Sequence, residues 1–435
     1  MNHSVLGALH AVDAGEHSAS KVLLPWQRIS LTFALLFIGS FGLFLAGNNQ
    51  SNLPVFDEQI YIDGAKSILS HRGILNPEHP PLGKLMIAAG MALAGDNPLG
   101  WRLAGMLCGA VTVAMMFLWT YLLLKDQSLA LTAALLTLFN NFIFVMSRNA
   151  SLDVPMFMFT LSGVTAFTAV LQCQLSLRVR RLLLLLSGAA FGLAAACKWT
   201  ALVPLCTTCL VAVVLFAWHT FQPDRMSADL RVPAKNLRDS GLFFLLVGLI
   251  AMPLTFYTLA FIPVLRFSHT PFSLAAIVRI QISMWTLSKQ VVGNRAIFSP
   301  WYRWPFQTSP VRAYSYLLGN PAVMWVGVLG LAICVARLWK RISLPEALVV
   351  LFYSTSFLQW VVVPRKITFY YYYFPAAMFL SAAIVTALSR GRFTRFRGVR
   401  VSFIVLTAAL VVFVYCYPQM GHLSPPWDCM LGCWS

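Results

Sequence analysis

The chain has 435 residues, of which 59% are hydrophobic and 11% charged, and it carries a formal net charge of +18. A soluble globular chain is about 45–50% apolar and about 25% charged, so the polar surface here is too small to wrap one soluble core. A bilayer must solvate most of the exterior, in keeping with a mean hydropathy of +0.73. In a soluble domain this charge would suggest nucleic acid, but the basic residues fall between apolar runs, where they orient helices and meet anionic headgroups. No nucleic-acid partner is expected.

Residues 1–28 contain Asp13, Glu16 and Lys21 but no apolar run, and they read as a cytoplasmic tail rather than a cleavable signal. A membrane-spanning helix needs about 20 mostly apolar residues. The runs that qualify are 29–47, 101–124, 128–146, 154–172, 182–197, 199–218, 241–262, 320–338, 345–362, 369–388 and 401–417, eleven in all. The expected architecture is an all-α polytopic membrane domain over 29–417, followed by a short outer tail at 418–435. A further apolar stretch, 82–95, is short and contains Lys84, so it reads as interfacial or re-entrant, with a twelfth span as the alternative. Most cysteines lie inside apolar runs, as small buried hydrophobes do; Cys429 and Cys433 lie in the tail, where they could pair.

With the N-terminus inside, the inner segments hold 18 Lys and Arg residues and the short outer segments only Arg148, Lys198, Arg365 and Lys366. That asymmetry predicts an N-in, C-out orientation. Two long outer segments then stand out, 48–100 and 263–319, and chemistry is expected there.

The first begins with an amphipathic helix, in which Tyr61, Ile62, Ala65, Ile68 and Leu69 form the apolar face. Asp57 and Glu58 fall in its first turn, where carboxylates suit the helix dipole. The alternative reading of Asp57 alone is a helix cap; two adjacent carboxylates beside a membrane interface favour chemistry instead. Next comes Asn76-Pro-Glu78-His79-Pro80-Pro81-Leu-Gly83-Lys84, whose prolines hold the chain extended and place Glu78 and His79 rigidly before a helix. The pair offers only two ligands, a weak signal for a metal site. Arg102 follows at the mouth of the second span. It either snorkels to headgroups or grips a phosphate, for which its guanidinium fork is suited.

These landmarks resemble the protein O-mannosyltransferase family, glycosyltransferases of the GT-C fold that use a polyprenyl-phosphate sugar donor. The resemblance rests on Asp57-Glu58, His79-Pro-Pro-Leu-Gly-Lys84, Trp101-Arg102-Leu, Ser147-Arg148-Asn-Ala-Ser-Leu152-Asp153 and Cys197-Lys198-Trp199-Thr200. Ser299-Pro300-Trp301-Tyr-Arg303-Trp304-Pro305 and Arg365-Lys-Ile-Thr-Phe369-Tyr-Tyr-Tyr-Tyr373-Phe-Pro375 extend it toward the C-terminus. It covers most of the chain, although the large soluble repeats of eukaryotic members are absent from the second loop, as they are in bacterial members.

The resemblance implies an inverting transfer of a mannose-like sugar to a hydroxyl, on Ser or Thr of exported proteins, at the outer face of a bacterial inner membrane. Asp57 is the candidate base, and Glu58 is expected to orient the acceptor. Arg102, Arg148, Lys198 and Arg365 lie at the outer membrane level and are candidates for the donor phosphate, with snorkelling anchors as the alternative reading. Arg148 is also placed to pair with Asp153. Glu78, His79, Lys84, Trp301 and Tyr372 are candidates for substrate contact, the tryptophans competing with a plain interfacial belt. Phe272–Ser288 in the second long segment is expected to be helical. No cofactor is required; a divalent metal at Glu78 and His79 stays open. The acceptor also stays open between protein and a lipid A, glycolipid or polysaccharide hydroxyl. A transporter is a more distant alternative, disfavoured because the spans hold almost no carboxylates.

Overall fold

The computed structural model describes residues 25–48, 54–55, 57–72, 75–267, 271–290, 298–311, 316–363, 367–390, 395–396 and 399–420. Arg365, Cys429 and Cys433 lie outside the described residues.

In chain order the helices are α1 (Pro25–Leu45), α2 (Glu58–Leu69), α3 (Leu82–Ala94), α4 (Pro98–Leu124), α5 (Gln127–Leu138), α6 (Asn141–Ser147), α7 (Asp153–Gln172), α8 (Leu177–Cys197) and α9 (Leu202–Phe221). They continue with α10 (Ala228–Ser240), α11 (Leu242–Leu246), α12 (Met252–Leu259), α13 (Ile262–Phe267), α14 (Leu274–Gln290), α15 (Pro321–Lys340), α16 (Leu344–Val362), α17 (Phe374–Ser389) and α18 (Val401–Met420). Among the described residues ten helices are long and apolar enough to cross a membrane, and the bent pair α5–α6 makes an eleventh. Each coincides with an expected span. The stretch at 82–95 forms the short helix α3, and the helix expected at Phe272–Ser288 is α14.

The third span differs from expectation. It is not one helix over 128–146 but two, bent by 58°. The reason is polar: Asn140 caps α6 by accepting from the Phe142 amide at 3.2 Å. Asn320, at the start of α15, donates from its side chain to the Phe139 carbonyl at 2.9 Å and to the Ala409 carbonyl at 2.8 Å. A buried break leaves backbone groups that must find partners, and these two asparagines supply them.

Spans differ in how deeply they sit. In the span Tyr370–Ser389 89% of the apolar stretch is buried, against 17% in Trp26–Leu45 and 22% in Val401–Met420, so α17 is the central helix and α1 and α18 are peripheral. The apolar faces of the peripheral helices look outward, as lipid contact requires. Close packing within the bundle uses glycine. A Cβ on Gly188 of α8 would lie 1.6 Å from the Gly248 carbonyl oxygen, so only glycine lets the two backbones touch. Beside that crossing the seventh span passes through one π-helical turn, Val247–Ala251. Pro253 there cannot donate to the Leu249 carbonyl, which accepts instead from the Cys209 thiol at 3.7 Å.

At one end of the bundle α10 lies against the α15–α16 connection, where Arg341 pairs with Asp229 at 2.7 Å. At the other end the C-termini of α1 and α8 meet the N-termini of α4, α7 and α17. The short helices α2 and α3 cover that end, packing around Tyr61, Ile62, Ala65, Ile68, Ile87 and Met91. The predicted amphipathic face of α2 is thus the buried one, except that Leu69 is exposed.

Candidate active site

Glu58 is the first residue of α2 and is buried, with 2% of its surface exposed. Its Oε1 accepts from Arg102 Nε at 2.8 Å and its Oε2 from Arg102 Nη2 at 3.0 Å, a two-point pair between α2 and α4. The same carboxylate accepts from the Val55 amide at 2.9 Å and the Ala150 amide at 2.8 Å. A buried carboxylate needs this degree of satisfaction. Glu58 therefore ties three segments together: the start of α2, the start of α4, and the turn between α6 and α7. Both Glu58 oxygens are thus engaged within the protein. Arg102 is turned inward to Glu58 and to the Asn48 carbonyl.

The neighbouring Asp57 is half-buried and faces the other way. It precedes α2 but its side chain makes no capping hydrogen bond, so the capping alternative does not account for it. Its Oδ2 accepts from the Tyr371 hydroxyl at 2.9 Å. Asp57, Tyr61, Asn149, Ser151, Asp153 and Tyr371 line a narrow cleft of about 10 Å³. Burial, reinforced by the Asp57 and Asp153 carboxylates, pushes the Tyr61 hydroxyl well above its ordinary pKa, so it stays protonated.

A second buried ion pair engages Asp153, which lines the cleft. Lys198, directly after α8, donates to Asp153 Oδ1 and Oδ2 at 2.8 and 2.9 Å. The expected Asp153–Arg148 pair is therefore replaced by one between helices 45 residues apart. Lys198 Nζ also lies 5.2 Å from the Tyr371 ring centre and 5.3 Å from that of Tyr372, within cation–π range. Arg148 instead donates to the Ala46 carbonyl and sits over Phe144 at 4.9 Å. Burial lowers its guanidinium to about 10, which leaves it charged.

The remaining candidates divide. Lys84 is wholly buried, and its Nζ donates to the carbonyls of Leu75, Asn76 and His79 at 3.3, 2.5 and 3.2 Å. It staples the His-Pro-Pro loop and is absent from the cleft lining. Gly83 beside it meets the α6–α7 turn so closely that a Cβ would lie 2.6 Å from Leu152. Burial pushes the Lys84 ammonium down to about 8, with the Glu78 carboxylate opposing. Between pH 8 and the ordinary lysine value near 10.4 the unfolded chain then binds more protons, so stability rises with pH across that window. Lys84→Met is expected to lower the melting temperature, and the wild-type advantage to widen as pH rises from 8 to 10. Thermal melts of the detergent-solubilised pair at each pH check both.

Tyr372, expected on the sugar, is buried and stacked on Trp360 at 4.6 Å with planes 11° apart. It is Tyr371, one residue earlier, that reaches the cleft. Trp301 packs edge-on against Phe357 at 5.6 Å and is absent from the cleft lining. Its segment is nonetheless locked to the aromatic run, since Ser299 and Thr368 exchange bonds at 3.0 and 2.9 Å. The His79 ring lies against Tyr61 at 6.1 Å, and Glu78 Oε2 is buried without a hydrogen-bond partner among the described residues. No three His, Cys, Asp or Glu side chains gather to hold a metal among the described residues.

Tyr371, Tyr61, Asn149 and Asp153 are cleft residues that the sequence did not assign to substrate. Asn149 and Asp153 sat inside a noted motif, and Tyr371 inside a noted aromatic run. The missing signal was the direction each side chain takes.

The family model described as dolichyl-phosphate-mannose-protein mannosyltransferase matches residues 78–225. The polyprenol-phosphate-mannose–protein mannosyltransferase of Mycolicibacterium smegmatis is 34% identical over 152 residues, a match that spans 34% of this chain and only 29% of that protein. The enzyme of the same name from Mycobacterium tuberculosis is 25% identical over 481 residues, covering 92% of this chain and 89% of that one. Among solved structures, the Saccharomyces cerevisiae protein O-mannosyltransferase Pmt1–Pmt2 complex bound to the sugar donor superimposes with a TM-score of 0.76, at 14% identity, over 93% of this chain and 91% of that one. At such identity the likeness is one of fold. Over most of its length the chain is thus an integral membrane protein similar in sequence to polyprenol-phosphate-mannose–protein mannosyltransferases and in fold to the Pmt1–Pmt2 complex.

Proposed function

We propose that the chain is an inverting glycosyltransferase that moves a mannose-like sugar from a polyprenyl-phosphate donor to a hydroxyl of an exported protein. The observation that carries this reading is the contrast between two adjacent carboxylates. Glu58 is locked into a buried ion pair, and Asp57 is thereby held at a cleft, hydrogen-bonded to Tyr371 and not used as a cap. In the reaction Asp57 accepts the proton of the attacking hydroxyl. The hydroxyl oxygen bonds to the anomeric carbon as the carbon–phosphate oxygen bond breaks, and the polyprenyl phosphate leaves with the electron pair. With one activating carboxylate and no covalent nucleophile, a single displacement inverts the configuration. Lys198 and Arg148 are the described cations that stand at the level where the phosphate departs.

The charge asymmetry of the loops supports an outward-facing site with the N-terminus in the cytoplasm, in a bacterial inner membrane. The reaction is read as needing no metal. Treatment with a chelator should leave transfer unchanged; loss restored by added Mg²⁺ or Mn²⁺ would assign a cation to Glu78 and His79. The acceptor is tested by offering purified protein a Ser/Thr-rich peptide and, separately, lipid A or a glycolipid. Label in the peptide supports the protein acceptor, and label in a lipid alone moves the reading to a lipid hydroxyl.

A further inference from the structure

Asn149 sits in the turn between α6 and α7 and is 5% exposed, yet its side-chain Nδ2 has no hydrogen-bond partner among the described residues. It lines the same cleft as Asp57, Asp153 and Tyr371. A buried amide N–H left unpaired is costly, and native structures keep few of them without a reason. The turn is held so that the side chain cannot easily leave. The Ala150 amide is bound to Glu58 at 2.8 Å and the Ser151 amide to the Asn149 carbonyl at 2.8 Å. That carbonyl also packs against Gly105, where an added Cβ would approach to 2.8 Å. The residue is therefore oriented toward the cleft by its backbone, with its donor unused.

The chemistry of the missing partner follows from the walls. It must be an acceptor, because Nδ2 only donates. It lies beside the Asp57 carboxylate, which disfavours an anion there; Asp153 is already paired with Lys198. A hydroxyl fits both demands: it donates to a carboxylate while accepting from the amide. Resting on the glycosyltransferase reading above, we propose that Asn149 is a specificity-determining residue that donates a hydrogen bond to one hydroxyl of the transferred sugar.

The test is a cycle between protein and substrate. Transfer from polyprenyl-phosphate-mannose and from its 2-, 3-, 4- and 6-deoxy analogues is measured as kcat/KM for wild type, Asn149→Ala and the near-isosteric Asn149→Asp, which cannot donate. Wild type should lose about tenfold on one particular deoxy donor, the order of a single hydrogen bond. Both variants should lose about as much on the parent donor and nothing further on that deoxy donor. A role confined to folding would lower all five donors by the same factor, and that result overturns the proposal. Wild type that transfers from none of the donors overturns the glycosyltransferase reading, and this inference with it.

Discussion

Asp57→Asn is expected to lower the rate of sugar transfer by about 100- to 10,000-fold, the range a positioned general base contributes. The substitution is chosen to leave everything else in place. Asparagine has the same shape, and its Oδ1 still accepts from the Tyr371 hydroxyl, a bond of 2.9 Å in the wild type. Glu58, which organises the surrounding segments, is untouched. Donor binding and thermal stability should therefore stay close to wild type while turnover falls. A variant that binds donor and transfers at the wild-type rate would remove Asp57 from the role of base.

Arg102→Met should damage stability rather than one chemical step. The Arg102–Glu58 pair is buried on both sides, with 3% and 1% of the side chains exposed. Removing one partner leaves a carboxylate in a low-dielectric environment, which typically costs about 3–5 kcal/mol. The Val55 and Ala150 amides still bond to Glu58 and should keep the loss within that range. Neutralising the other partner as well, in Glu58→Gln/Arg102→Met, should recover part of the loss, since no charge is then stranded. Melting curves in detergent decide it. A single variant within about 1 kcal/mol of wild type would mean that the pair does not organise the site.

The fold was legible because apolar runs of about 20 residues need no tertiary information to be recognised. The break at Phe139–Asn140 was not. Asn140 and Asn141 stand in an otherwise ordinary span, and the partner that meets the break, Asn320, is 180 residues away in sequence. The site shows the same division. Asp57 and Glu58 were visible as a carboxylate pair, but which of them faces the cleft depends on a rotation of roughly 100° between successive helical positions. The ion pairs are invisible in the sequence because the partners, Glu58 for Arg102 and Asp153 for Lys198, are 44 and 45 residues distant and lie beyond any local pattern. Within the run Tyr370–Tyr373, a 3₁₀ turn sets which ring points inward. Four identical residues carry no sign of that phase.

Purified wild-type protein would be given polyprenyl-phosphate-mannose, labelled in the sugar, with a Ser/Thr-rich peptide, and the product examined for label and anomeric configuration. Label joined to a peptide hydroxyl in the α configuration, from a β-linked donor, is the predicted result. Label that stays on the donor with every hydroxyl acceptor supplied, or a product that retains the donor's configuration, would contradict it.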